Sequence, residues 1–422
     1  MLRRLRIIGL IVLLGGTLTA ARAGEPEAPL LDRSSEPFRI THWWSAQREA
    51  LSEEQVDLMV EAGLNYLQLM GHQVEHNRRA LAAASKYPWV EAIVHDGRLS
   101  EVKLEAPDSF QRIDDIVKDY RSYPAFKGFY VIDEPSATRF PWLEGIYTYT
   151  RERWPEVTPY VNLYPNYCPP HGLGTATYAE HIEQYLAIRP PLLSYDHYPF
   201  YVDSVNEAGW FSNLEEVRRQ CLGAGVPYWV IIQFVEWPGM RLVNEAQLRW
   251  SVYSALAYGF KSISYFCYFT PGGQFKNGAI EPDGRVHPER FALMKKVNRD
   301  LHALGPVLMA LCSERVYRTG LAPEQGTGVP EDGWIRSVEG KWIIGELQGQ
   351  RGSYVLLANG DYEQSQEARI RWAPEVQAVY RVSKQTGRPE PVRLRPRKGL
   401  PEAAFSLAAG DGELYRLEWN GE

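Results

Sequence analysis

The 422-residue chain is short of cysteine, with four in all, and none of them forms a CxxC pair. A zinc ribbon or a thioredoxin-type redox centre is therefore unsupported. It has no GxGxxG turn, no GKS/T loop, no HExxH helix and no GxSxG elbow, so dinucleotide, nucleotide, zincin and serine-hydrolase chemistries have no anchor. It also lacks a basic tract. The net charge is -6, and it becomes -10 without Arg3, Arg4, Arg6 and Arg22 of the N-terminal segment. Such a chain repels phosphate backbones, which argues against a nucleic-acid partner. After the N-terminal segment no apolar run reaches the roughly 20 residues that span a bilayer.

The N-terminal segment reads as a leader. MLRRLR supplies a basic start, IIGLIVLLGGTLTA a short apolar stretch, and Ala21-Arg22-Ala23 a small-x-small cleavage site. Residues 1–23 are expected to be removed on export to a periplasm or the exterior, leaving no stable membrane anchor. Export permits disulfides, and Cys168, Cys221, Cys267 and Cys312 allow three pairings. A chain of this length buries a core without staples, so four free thiols are the simpler expectation.

What the sequence has in excess is aromatic: 13 Trp, 25 Tyr and 14 Phe. Many of these residues fall in a regular alternation. Strand candidates at Arg39–Trp44, Leu64–Met70, Trp89–His95, Gly128–Asp133, Pro159–Tyr164, Leu192–His197, Tyr228–Glu236 and Ser262–Phe269 are rich in Val, Ile, Tyr and Phe. Between them lie amphipathic helices. The first opens with the capping-box pattern Ser52-Glu53-Glu54-Gln55 and closes at Gly63. Eight strand–helix units in about 270 residues predict a (β/α)8 TIM barrel over residues 24–307. Beyond Gly305-Pro306 short strand-like runs between turn residues predict a C-terminal all-β sandwich over 308–422.

In such a barrel, chemistry sits at the C-terminal strand ends. Here those ends carry His42 and Trp43, His95, Asp133 and Glu134, Asn162 and Tyr164, Tyr195, Asp196 and His197, and Glu236 and Trp237. Carboxyls among aromatic rings suit a sugar, whose apolar face rests on a ring and whose hydroxyls need acceptors and donors. Trp43, Trp44, Tyr198, Phe200, Tyr201 and Trp237 are candidate platforms. Glycoside cleavage needs one protonated and one ionised carboxyl. Glu134 and Glu236, ending the fourth and seventh strands, fit these roles as the catalytic pair. His42, Trp43, His95, Asp133, Asn162, Tyr164, Tyr195, Asp196, His197 and Trp237 are expected to contact substrate.

The layout resembles the retaining (β/α)8 glycoside hydrolases, the clan that includes β-galactosidases, β-mannanases and cellulases: Gly128–Pro135 resembles its strand-4 motif, and Val161–Pro165 with Ser194–Pro199 resemble a subgroup of exported bacterial glycoside-hydrolase-like proteins. The resemblance implies that Glu134 is the acid/base and Glu236 the nucleophile, with Tyr195 donating to the nucleophile. It also implies an Asn before the acid/base, where this chain has Asp133. Asp196 is the reserve carboxylate. The expected partner is a carbohydrate, with no cofactor and no metal. Two alternatives stay open: a carbohydrate-binding barrel without catalysis, and a metal-assisted hydrolase using His42, His95 and Asp196.

Overall fold

The computed structural model describes residues 32–99, 108–320 and 328–420; the expected leader lies outside the described residues. Eight parallel strands close into a barrel: β1 (Arg39–Trp43), β2 (Tyr66–His72), β3 (Glu91–Asp96), β4 (Phe126–Asp133), β5 (Thr158–Leu163), β6 (Leu193–His197), β7 (Tyr228–Gln233) and β8 (Ser262–Phe266). Closure runs between β1 and β8, in register from Arg39↔Ser262 to Trp43↔Phe266. β7 and β8 each end three residues earlier than the sequence predicts. At the end of β7 the amides of Phe234 and Val235 both turn onto the Phe266 carbonyl, at 2.7 and 3.1 Å, so the backbone leaves the ladder before Glu236.

Helices α1 (Glu53–Glu61), α2 (Val74–Ala84), α3 (Ser109–Tyr120), α4 (Phe140–Arg153), α5 (Pro170–Leu173), α6 (Tyr178–Ala187), α7 (Glu207–Ala224), α8 (Glu245–Ala257) and α9 (Pro288–Met309) cover the barrel. Ser52 caps α1 by accepting from the Gln55 amide at 3.3 Å. Thr177 with Glu180, and Asn244 with Gln247, form complete capping boxes on α6 and α8. α9 continues through Pro306 to Met309, where the sequence pattern suggested a break.

Side chains alternate across each strand, and this divides the aromatic excess. Trp43, Tyr66, Tyr160 and Trp229 fill the barrel interior with Ile93 and Ile231. The Arg39 guanidinium lies 5.3 Å from the Tyr66 ring and 5.8 Å from that of Trp229. Leu67, Leu69, Val94 and Ile263 point the other way, into the layer shared with the helices.

The C-terminal region comprises β9 (Leu311–Arg318), β10 (Ile335–Ser337), β11 (Trp342–Gly349), β12 (Gly352–Asn359), β13 (Gln366–Trp372), β14 (Val376–Val382), β15 (Pro389–Pro391), β16 (Arg395–Arg397), β17 (Leu400–Leu407) and β18 (Gly412–Trp419). They form two antiparallel sheets, ordered β15-β14-β18-β12-β11-β9 and β10-β13-β17-β16. Trp342, Val355, Ile370 and Trp372 belong to the core between them. The opposite face of the larger sheet rests on α8. Gly345 makes that approach possible, since a Cβ there would sit 2.1 Å from the Ala257 carbonyl oxygen. Trp250 of α8 donates to the Gly360 carbonyl at 3.2 Å. α8 is consequently buried all round, although most of the barrel's other helices keep a wet face.

Candidate active site

A cavity of about 230 Å³ opens at the C-terminal ends of the barrel strands. One wall is polar: Asp133 and Glu134 from β4 and its following residue, Asn162 from β5, Asp196 from β6, and Tyr198 just beyond it. The other wall is apolar, made by Trp43, Ile231, Trp237, Phe266 and Phe275. Among the described residues no cation lines the cavity. A larger cleft, about 960 Å³, lies where α7 meets the sandwich, and there Lys341 is paired with Glu207 at 3.1 Å. Of its acids Glu207 and Glu215 are each paired with a cation, whereas the smaller cavity joins three acids in one hydrogen-bonded wall and is the better candidate for chemistry.

The polar wall is one hydrogen-bonded unit. The Asn162 side-chain amide donates to Asp196 at 2.9 Å and to Asp133 at 3.2 Å. Its oxygen accepts from the Ser194 hydroxyl at 3.1 Å, and Ser194 in turn meets the Tyr160 hydroxyl at 2.8 Å. Glu134 donates to Asp196, which also accepts from the Tyr198 hydroxyl. Glu134 has φ +45°, in the left-handed region that costs a non-glycine residue energy. Its amide is held on the Asn162 carbonyl at 2.8 Å. The strain therefore sits on the residue that carries a carboxyl into the cavity.

Crowded acids in a walled site resist ionisation. Burial raises the pKa of Glu134, and the charges of Asp196 and then Asp133 add to the rise. Burial likewise raises that of Asp196. Asp133 is pushed up to about 7, by burial first and by Asp196 second. Water reaches Asp133 through the mouth even though protein surrounds it, so solvent tempers its shift.

Several expected contacts lie elsewhere, for reasons of strand alternation. On β6, Asp196 faces the cavity, so its neighbours Tyr195 and His197 face the helices. Tyr195 packs against Phe260, and His197 meets Asn213 of α7 at 2.9 Å. On β1, Trp43 lines the cavity and His42 turns outward, where its Nε2 accepts from the Gln68 amide at 3.2 Å. His95 is buried and outside the cavity lining, stacked on Tyr130 at 4.2 Å and bonded to Gln68 at 3.0 Å. Burial lowers the pKa of both histidines to about 3. Tyr164 lies beyond the end of β5 against His181, outside the lining.

Glu236 is the main correction. β7 ends at Gln233, and Glu236 pairs through its backbone with Lys276 in the loop after β8. Its carboxylate accepts from Asn277 at 2.8 Å and is not part of the cavity lining, whereas the next residue, Trp237, is. His42, His95 and Asp196 do not converge, and among the described residues no three His, Cys, Asp or Glu side chains are grouped to hold a metal ion. Phe266 and Phe275 line the apolar wall without being among the platforms the sequence suggests. Phe266 follows from the period of β8, while Phe275 sits in a loop whose path no periodicity reports.

The four cysteines are free, with Cys221 and Cys267 buried and Cys168 and Cys312 partly so. No helix among the described residues is long and apolar enough to cross a membrane.

No family model and no curated protein matches the sequence. Solved structures do. A catalytic mutant of Gan42B, a family 42 β-galactosidase from G. stearothermophilus, aligns over 92% of this chain and 100% of its own, with TM-score 0.56 and 9% identity. A β-galactosidase from the psychrophilic Marinomonas ef1 aligns with TM-score 0.48 and 13% identity over 64% of this chain, and the match spans 61% of that enzyme's length. An α-fucosidase from Thermotoga maritima gives TM-score 0.45 and 10% identity over 87% of this chain and 78% of its own. The first of these establishes a shared fold.

Proposed function

We propose that the protein is a glycoside hydrolase acting on a single neutral sugar residue at a time, with Glu134 protonating the leaving oxygen. The observation that carries this reading is the state of Glu134: a strained residue at a barrel strand end, its carboxyl inside the cavity and held protonated by burial and by two neighbouring acids. A general acid must keep its proton near neutral pH, and these are the surroundings that make a carboxyl do so. The facing apolar wall suits the hydrophobic side of a pyranose. Among the described residues the lining holds acids and no cation, a setting that favours uncharged sugars over sulfated, phosphorylated or uronic ones. A cavity of about 230 Å³ is small even beside sites for drug-sized ligands, which supports action on a terminal residue.

In this reading Glu134 acts first as acid and, once ionised, as the base that activates water, with retention at the anomeric carbon. Asp196 holds its carboxyl in place, and Asn162 holds Asp196. Export to the periplasm or exterior is part of the proposal and rests on the leader pattern. The test is hydrolysis of a panel of aryl glycosides of neutral sugars. Glu134→Gln should lower turnover on the best of them by about 10²- to 10⁴-fold. Sugar binding without turnover on any glycoside would leave a carbohydrate-binding barrel instead.

A further inference from the structure

A retaining glycosidase needs a nucleophile as well as an acid, and among the described residues the cavity offers no carboxylate for that role. The two groups of a conventional pair stand about 5 to 5.5 Å apart, on either side of the bond to be cut. Glu134 and Asp196 are hydrogen-bonded to each other, too close to flank a glycosidic bond. Asp133 and Asp196 are tied to one amide, that of Asn162, so all three acids stand on one wall. Among the described residues the opposite wall is formed by Trp43, Ile231, Trp237, Phe266 and Phe275. Glu236, which could have faced Glu134, is bonded to Asn277 outside the lining. The Tyr198 hydroxyl is engaged with Asp196 on the acids' own wall.

We infer that the nucleophile is carried by the substrate: the cavity takes an N-acetyl-β-hexosaminide, whose acetamido oxygen attacks its own anomeric carbon. This inference rests on the glycosidase reading above and names its substrate class. In the first step the acetamido oxygen bonds to the anomeric carbon and the bond to the leaving oxygen breaks. The Glu134 proton goes to that oxygen. The sugar is left as a bicyclic oxazolinium ion whose N–H needs an acceptor. Asp133, next in the chain to Glu134 and steadied by Asn162, is the group placed to accept it. The apolar wall receives the acetamido methyl group, which a hydroxyl-bearing sugar lacks. In the second step water gives a proton to the Glu134 carboxylate and its oxygen bonds to the anomeric carbon. The oxazolinium ring opens, its electron pair returns to the acetamido oxygen, and the acetamide is restored. Two inversions give net retention, and water is the one co-reactant.

The experiment compares para-nitrophenyl N-acetyl-β-glucosaminide and N-acetyl-β-galactosaminide with the matching β-glucoside and β-galactoside, using the mature full-length protein. The expected result is that kcat/KM is more than about 100-fold higher for one of the N-acetyl substrates. A thiazoline analogue of the bicyclic intermediate should compete at least about 100-fold more tightly than the free N-acetyl sugar, and Asp133→Asn should weaken that inhibition while circular dichroism stays unchanged. Equal hydrolysis of the hydroxy-sugar glycosides would overturn the inference and leave the glycosidase reading standing. So would a covalent sugar adduct on the protein, seen by intact mass after treatment with a fluorinated glycoside that traps glycosyl-enzymes. Hydrolysis of none of these or of the wider aryl-glycoside panel, by a protein that is folded, would overturn the glycosidase reading itself and the inference with it.

Discussion

The side-chain amide of Asn162 donates to Asp196 at 2.9 Å, and the same nitrogen lies 3.2 Å from Asp133. One neutral donor thus holds two acids that would otherwise repel, and Ser194 fixes the orientation of the amide from behind. Replacing Asn162 with Ala removes the tie and leaves both acids to move apart or take up protons. A hydrogen bond to a charged group contributes about 1.5 to 3 kcal/mol. The expected loss in kcat is therefore about 10- to 100-fold, with a much smaller change in KM. A purely structural role for Asn162 would lower the melting temperature and leave the pH profile in place. A shifted profile marks it as a positioning residue.

Burial first, and Asp196 second, set the pH at which Glu134 gives up its proton. Burial, Asp196 and Asp133 all raise the Glu134 pKa, so activity should fall on the alkaline side as Glu134 ionises. Asp196→Asn removes one negative neighbour, so the pKa drops and the alkaline limb of kcat/KM moves to lower pH, by about one unit. The position of the limb is the readout, whatever the height of the plateau. An unmoved limb would mean that the proton lost on that side belongs to another group.

The acid cluster should make the protein less stable as pH rises. Asp133 titrates at about 7 in the folded chain and at its ordinary 3.8 when unfolded. A carboxyl with a raised folded pKa contributes full stability below its unfolded value, and loses it as pH climbs through its folded value. Asp133→Asn has no charge to bury. It should match the parent near pH 4 and exceed it at pH 8. Because water enters the mouth, the gain is of the order of 1 kcal/mol, or about 2 °C in melting temperature for a chain of this size. Thermal melts at the two pH values check the sign.

The barrel was readable from the sequence because its strands and helices alternate at even spacing, and Glu134 was readable because Asp133-Glu134-Pro135 ends a strand so clearly. Which side chain faces the cavity was not readable. In β6 the run Leu193–His197 is buried on both faces, so no polar–apolar alternation marks the inward set. The sequence therefore groups Asp196 with Tyr195 and His197, which face away. In β7 the apolar run continues past the true end of the strand, because Phe234 and Val235 are buried in the turn that follows it. That run carried Glu236 to a strand end it does not occupy. In the sandwich, β15 and β16 are short and contain proline, and β17 begins Leu-Pro-Glu-Ala-Ala, so none has the β-branched character that announces a strand.

The position of Glu236 gives a direct contrast with Glu134. Its carboxylate is engaged with Asn277, and its backbone pairs with Lys276. Glu236→Gln keeps an acceptor oxygen for Asn277. It should keep kcat within about 3-fold of the parent, and azide should rescue nothing because no glycosyl–Glu236 ester forms. A loss as large as that of Glu134→Gln, with azide rescue and inverted product, would return the nucleophile to Glu236.

The seam between barrel and sandwich should govern overall stability, and Arg249 is its centre. This α8 residue donates to Glu245 at 2.9 Å, to Asp300 of α9 at 2.9 Å and to Asp411 before β18 at 3.2 Å. Its side chain and that of Asp300 are buried, at 9% and 8% exposure. Arg249→Ala leaves the Asp300 carboxylate buried beside only a distant Arg299 at 3.8 Å. Removing one partner of a buried pair costs about 3 to 5 kcal/mol. Urea unfolding followed by tryptophan fluorescence should show that loss. The two domains also share a continuous apolar layer, in which Trp250, Leu256, Ile343 and Leu356 belong to one cluster. Parent protein should therefore unfold in one transition by fluorescence and by circular dichroism alike. Two separated transitions in the parent would mean that the seam does not couple the domains, and the Arg249 effect would then be confined to the α8–α9 contact.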